Sequence, residues 1–141
     1  MPEAKDPPSI VKGIMTRPIL TVDSDSSVRE AAKKMKAKGI GCVVVTEDDK
    51  PVGIATERDI LQRVVAEGSD ASEVKMKTII SRPLITLDAN MPIIDAIRTM
   101  QKRNVRHLPI TEGEKLVGIV TQRDLLRALA LHVLISFRPL L

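Results

Sequence analysis

Val52-Gly53-Ile54-Ala55-Thr56-Glu57-Arg58-Asp59 recurs 65 residues later as Val117-Gly118-Ile119-Val120-Thr121-Gln122-Arg123-Asp124. Extended outward at the same offset, Ile14–Arg63 aligns with Ile79–Ala128 without a gap, and 17 of those 50 columns are identical. The identities include Arg17/Arg82, Pro18/Pro83, Thr21/Thr86, Asp23/Asp88, Ala31/Ala96 and Met35/Met100. Self-similarity at one fixed offset marks a duplicated structural unit.

Periodicity gives the elements of that unit. Ile19-Leu20-Thr21-Val22 is short, apolar and β-prone, and follows Pro18, which suits a strand start. The polar turn Asp23-Ser24-Asp25-Ser26 offers side chains that can cap a helix. Val28, Ala31, Ala32 and Met35 then recur at i, i+3, i+4 and i+7, the stripe of a half-buried helix. Its twin carries Ile93, Ile97 and Met100, with Pro92 in the first turn. Gly39 and Asn104 suit the left-handed position after a helix. Cys42–Val45 and Val52–Ala55 read as two strands joined at the tight polar turn Glu47–Pro51. Thr56–Glu67 reads as a second helix with Ile60, Leu61, Val64 and Val65 inward. The chain is thus an α/β (α+β) protein of tandem β-α-β-β-α repeats with pseudo-twofold symmetry. One such unit cannot bury both faces of its sheet alone, so the pair is the expected folding unit, packed sheet to sheet. The organisation expected is an arm at 1–9, a first repeat at 10–68, a linker at 69–73, a second repeat at 74–131 and an apolar tail at 132–141.

Composition narrows the function classes. The 141 residues include no Trp, no Tyr and one Phe, so the core must be aliphatic and stacking on bases has almost no aromatic side chain to use. Met15, Met35, Met76, Met91 and Met100 read as core filler. The net charge of +4 suits an anionic partner, yet 18 acidic residues lie among 22 basic ones, and Lys33–Lys38 reads as a solvated helix face. Nucleic-acid binding is therefore a weak rival. Cys42 is the only cysteine, so no intrachain disulfide can form; a buried apolar role in a reducing compartment is expected. No signal peptide opens the chain and no apolar run spans a bilayer, so a cytoplasmic protein without a membrane partner is expected.

The repeated Gly-Ile-x-Thr-x-Arg-Asp admits two readings. Thr before a helix with an acid three positions on makes a capping box, which alone accounts for Thr56/Asp59 and Thr121/Asp124. The same geometry can hold a ribose phosphate. Helix-start N–H groups favour phosphate, a carboxylate accepts from a vicinal diol, and Gly admits close backbone approach.

These repeats, both heptapeptide motifs and Arg106-His107-Leu108-Pro109-Ile110 resemble a cystathionine-β-synthase (CBS) domain pair, a Bateman module, over about residues 10–130. The resemblance implies a stand-alone regulatory module with no required cofactor. It would bind adenine nucleotides, AMP foremost and also ADP or ATP, in clefts combining both repeats, and signal by changing shape. Carried over by position, cleft A takes Ile14, Met15, Thr16, Arg17, Pro18 and Leu20 with Arg106, His107, Thr121, Arg123 and Asp124. Cleft B takes Ile79, Ile80, Arg82, Pro83 and Ile85 with Gly41, Cys42, Thr56, Arg58 and Asp59. Cleft B has Gly-Cys where cleft A has Arg-His, so A is expected to bind phosphate more tightly. His107 also admits a plain reading as a half-buried strand residue.

No catalytic set emerges. His107 and His132 are far apart, no metal-ligand spacing or phosphate-loop motif occurs, and Cys42 has no evident base. A sensor, not an enzyme, is expected, with an unidentified downstream protein. Homodimers are implied by the resemblance and suit the apolar run Leu125–Ile135. A structural dimerisation module with vestigial clefts is the remaining rival.

Overall fold

Each repeat closes one three-stranded sheet around its own helix-hairpin sequence. In the computed structural model, which describes residues 8–16 and 19–136, the first sheet orders β1 (Thr21–Asp23), β2 (Cys42–Glu47) and β3 (Lys50–Thr56). The second orders β4 (Leu87–Asp88), β5 (His107–Glu112) and β6 (Lys115–Thr121). The first two strands of each sheet run parallel because a helix returns the chain between them, α1 (Val28–Lys38) or α3 (Ile93–Arg103). The other pair is antiparallel. Asp48 and Asp49 form its two-residue turn at φ 51° and 63°, a backbone that short polar side chains tolerate.

Helix ends follow the local chemistry. Ser27 accepts the Glu30 N–H at the start of α1, one residue beyond the polar turn that the sequence offered for capping. Gly39 and Asn104 close α1 and α3 in the left-handed conformation, at φ 65° and 53°. Val28, Ala31 and Met35 are buried along α1, as Ile93, Ala96 and Met100 are along α3.

Several expectations need correction. The first strand begins at Thr21, not Ile19, because parallel pairing with β2 starts only at Thr21↔Val44. The helix after β3 is a short α2 (Glu57–Ile60) that widens into π-helical Leu61–Val65, so it stops before Glu67. Ile60 and Val64 face the core, but Leu61 and Val65 are 60 % and 62 % exposed. The core-facing surface takes one stripe, and the neighbouring stripe edges a 550 Å³ groove beside Ala32 and Met35 of α1. In the second repeat α4 (Gln122–Ser136) continues into the stretch read as a tail. Phe137 and the four residues after it lie outside the described residues.

The chain forms two compact units whose frame differs from that of the repeats. One is Ile19–Ile85; the other joins the N-terminal residues through Pro18 to Thr86–Leu141. Each unit is therefore completed by the leading segment of the other repeat, through matched hydrogen bonds. Val28 N–H donates to Val74 O at 2.9 Å, and its counterpart Ile93 N–H to Ser9 O at 2.9 Å. Met76 N–H donates to Ser26 O at 2.9 Å, and Val11 N–H to Met91 O at 3.0 Å. Lys77 N–H reaches Ser24 O at 2.9 Å, as Lys12 N–H reaches Ala89 O at 3.0 Å. Backbone donors at the start of each first helix are thus satisfied by an exchanged segment. Burial follows: Met76 and Ile79 belong to the same core as Val43, Val45 and Met35.

Candidate functional site

The strand-to-helix junction is built alike in both units. Thr56 is extended, at φ −115° and ψ 168°, and its hydroxyl oxygen accepts the Asp59 N–H at 3.3 Å. Asp59 Oδ2 accepts the Thr56 N–H at 2.8 Å, completing the capping box. In the other unit Asp124 Oδ2 accepts the Thr121 N–H at 2.9 Å, and Asp124 N–H donates to Thr121 Oγ1 at 3.2 Å. The helix-start N–H of Glu57 donates to Gly41 O at 3.0 Å, and that of Gln122 to Arg106 O at 2.9 Å. Register pairs Cys42 with Thr56 and His107 with Thr121. Positions 41–42 and 106–107 are thereby fixed beside the Thr-Asp caps.

The exchanged segments approach the same strands. Ser81 exchanges backbone hydrogen bonds with Ile54, at 3.1 and 3.4 Å, and Thr16 does so with Ile119, at 3.0 and 2.8 Å. This explains the motif glycines differently from a ligand's close approach. A Cβ on Gly53 would lie 2.7 Å from Ser81 O, and one on Gly118 would lie 2.6 Å from Met15 Sδ. The missing side chain makes room for the chain itself.

Each candidate set falls largely within one unit while drawing on both repeats. Ile14, Met15, Thr16, Arg106, His107, Thr121, Arg123 and Asp124 share one unit, with Arg106 and Arg123 exposed and His107 half-buried. Arg17 and Pro18 lie outside the described residues. Leu20 belongs to the other unit, where it packs against the core. Ile79, Ile80, Arg82, Pro83, Ile85, Gly41, Cys42, Thr56, Arg58 and Asp59 all lie in the Ile19–Ile85 unit. Within it Ile79 and Cys42 are buried, and Arg82 donates to Glu47 Oε1 at 2.7 Å. That guanidinium holds the Glu47 carboxyl below its ordinary range.

Two further residues differ between the units. A Cβ on Gly41 would lie 3.3 Å from the Glu57 carboxyl carbon and from its Oε1, so this carboxylate covers the place where the other copy has Arg106. Burial, and secondarily the Glu57 charge, push the Cys42 thiol up to about 12. Arg63 donates to Ile79 O at 2.5 Å and stands 3.9 Å from Asp59 Oδ1; the other repeat has Ala128 there. Both differences could be found by comparing columns just beyond the Thr and Asp of the motif.

A family model for the CBS domain matches residues 11–66 and 74–131. The chain belongs to the CBS-domain family. It is a CBS-domain pair, and such pairs are generally regulatory modules that bind adenosine ligands. An uncharacterised protein of Methanopyrus kandleri is 40 % identical over 116 residues, 81 % of this chain and 59 % of that protein. A CBS domain-containing protein of Bacillus subtilis is 36 % identical over 83 % of each chain. An uncharacterised conserved protein from Pyrococcus horikoshii superposes with a TM-score of 0.79 at 36 % identity, covering 88 % of this chain and 94 % of the other. The CBS pair thus spans about three fifths of the Methanopyrus relative. Among the described residues no helix is long and apolar enough to cross a membrane, and no group of three or more His, Cys, Asp or Glu could hold a metal ion.

Proposed function

We propose that this CBS pair is a regulatory module that binds adenine nucleotide, AMP foremost and ADP or ATP as well, and passes the binding event to a partner by a change of shape. Asp124 carries the reading. Its Oδ2 is engaged by the Thr121 N–H, leaving Oδ1 to accept from the two hydroxyls of a ribose. Arg106, Arg123 and His107 stand on the same unit as the phosphate-facing groups. Binding rather than turnover is the proposed role.

Self-association belongs to the same reading. Leu61 and Val65 on one unit, and Leu126 and Leu134 on the other, are each more than half exposed on helices, apolar positions that suit contact with a second copy in a homodimer. A purely structural dimerisation module is favoured by one observation, since both Thr-Asp pairs already serve as helix caps. Thermal denaturation with millimolar AMP, ADP, ATP and adenosine separates the two. A ligand that binds only the native state raises the melting temperature. A rise with AMP is expected, and no rise with any of the four would leave the structural reading.

A further inference from the structure

The two binding sets carry different charge, and the difference extends beyond the Arg-His and Gly-Cys contrast. From the Thr86–Leu141 unit to the Ile19–Ile85 unit, Arg106 becomes Gly41 and Gln122 becomes Glu57. One cation is lost and one anion gained. Arg63 returns a cation where the other copy has Ala128, but it is bound to Ile79 O and faces Asp59 Oδ1, so a carboxylate already balances its charge. Arg58 and Arg123 match and cancel in the comparison. The Glu57 carboxyl lies over Gly41, beside Cys42 and next in sequence to Thr56. A phosphate beside Thr56 would meet that carboxylate, where one beside Thr121 would meet Arg106.

Resting on the nucleotide-binding reading above, we infer that Glu57 is a specificity-determining residue that turns the Ile19–Ile85 unit away from phosphate, so that this unit takes an adenine nucleoside without phosphate. The carboxylate is retained there as Asp59, whose Oδ1 a nucleoside diol would share with Arg63. Only the phosphate loses its place. Like charges brought together at contact range are a standard way to exclude a competing ligand.

The test uses the full chain and calorimetric titration with adenosine and AMP. Asp124→Ala silences the first set, so that heat reports the second; Glu57→Gln is then added. Gln stands at this position in the other repeat, and Glu57 is exposed, so the substitution suits the fold. An unliganded melt checks this. In the Asp124→Ala protein adenosine should bind at least as tightly as AMP. Adding Glu57→Gln should strengthen AMP about tenfold, between the aqueous and protein-surface limits for one charge at contact range. Adenosine affinity should stay unchanged. Unaltered AMP affinity after Glu57→Gln overturns the inference, as does an Asp124→Ala protein that binds neither probe while the parent binds AMP. A parent that binds neither probe instead overturns the nucleotide reading itself, and the inference with it.

Discussion

The two units share a backbone plan down to paired hydrogen bonds, yet the surroundings of their Thr-Asp caps are furnished differently. One places Arg106, His107 and Gln122 around the Thr121-Asp124 cap; the other places Gly41, Cys42 and Glu57 around Thr56-Asp59. What duplication kept is what the fold needs: the cap, the glycine under the exchanged segment and the left-handed helix stop. What diverged surrounds the cap, where folding makes few demands. A frame held constant beside a variable rim is the pattern of a site whose chemistry can change without loss of the fold.

The largest effect expected from probing this comparison is on stability. Gly53→Ala should cost about 2–3 kcal/mol, because the added carbon meets backbone oxygen of Ser81 at 2.7 Å. Gly118→Ala should cost about 1 kcal/mol, since the nearest atoms are the end of the flexible Met15 side chain. Urea melts of the two variants check the order, and equal losses would break the asymmetry. Next comes binding. Asp124→Ala should weaken AMP at least about tenfold, or about 1.4 kcal/mol, and Asp59→Ala by less than about threefold, read by titration. A larger loss from Asp59→Ala would invert the ranking. The smallest effect concerns acid. Arg82 depresses the Glu47 pKa in the folded chain, so this contribution to stability is present above the ordinary value of 4.5 and is lost as pH falls through the folded value. Glu47→Gln should flatten that acid limb slightly, as melts between about pH 5 and 3 would show.

The repeat made much of the fold legible. Residue columns that agree, such as Met35/Met100 and Thr56/Thr121, carry period and cap chemistry, which are local in sequence. The exchange of leading segments was not legible from periodicity, since Met76 packs equally well by pattern against either copy; the family resemblance alone set Ile14–Leu20 beside Thr121 and Ile79–Ile85 beside Thr56. Leu61 and Val65 misled for a related reason. Helical periodicity places them on an apolar face, but nothing in a single chain says whether that face meets core or a groove. At the candidate site the Thr-Asp pairs were legible as helix caps, and both caps form. Glu57 was passed over because its meaning depends on lying against Gly41, a position with no side chain to notice.

The segment exchange has a consequence for descent. The chain crosses between the units twice, between residues 16 and 19 and between 85 and 86. A single-repeat ancestor could not have closed its own unit with a segment borrowed from a repeat it lacked. Two such chains could have lent each other their leading segments, the arrangement of a domain swap. In the tandem chain that exchange is intramolecular. A substitution in it alters one unit and leaves the other as it was, whereas in a swapped pair of identical chains it would appear in both.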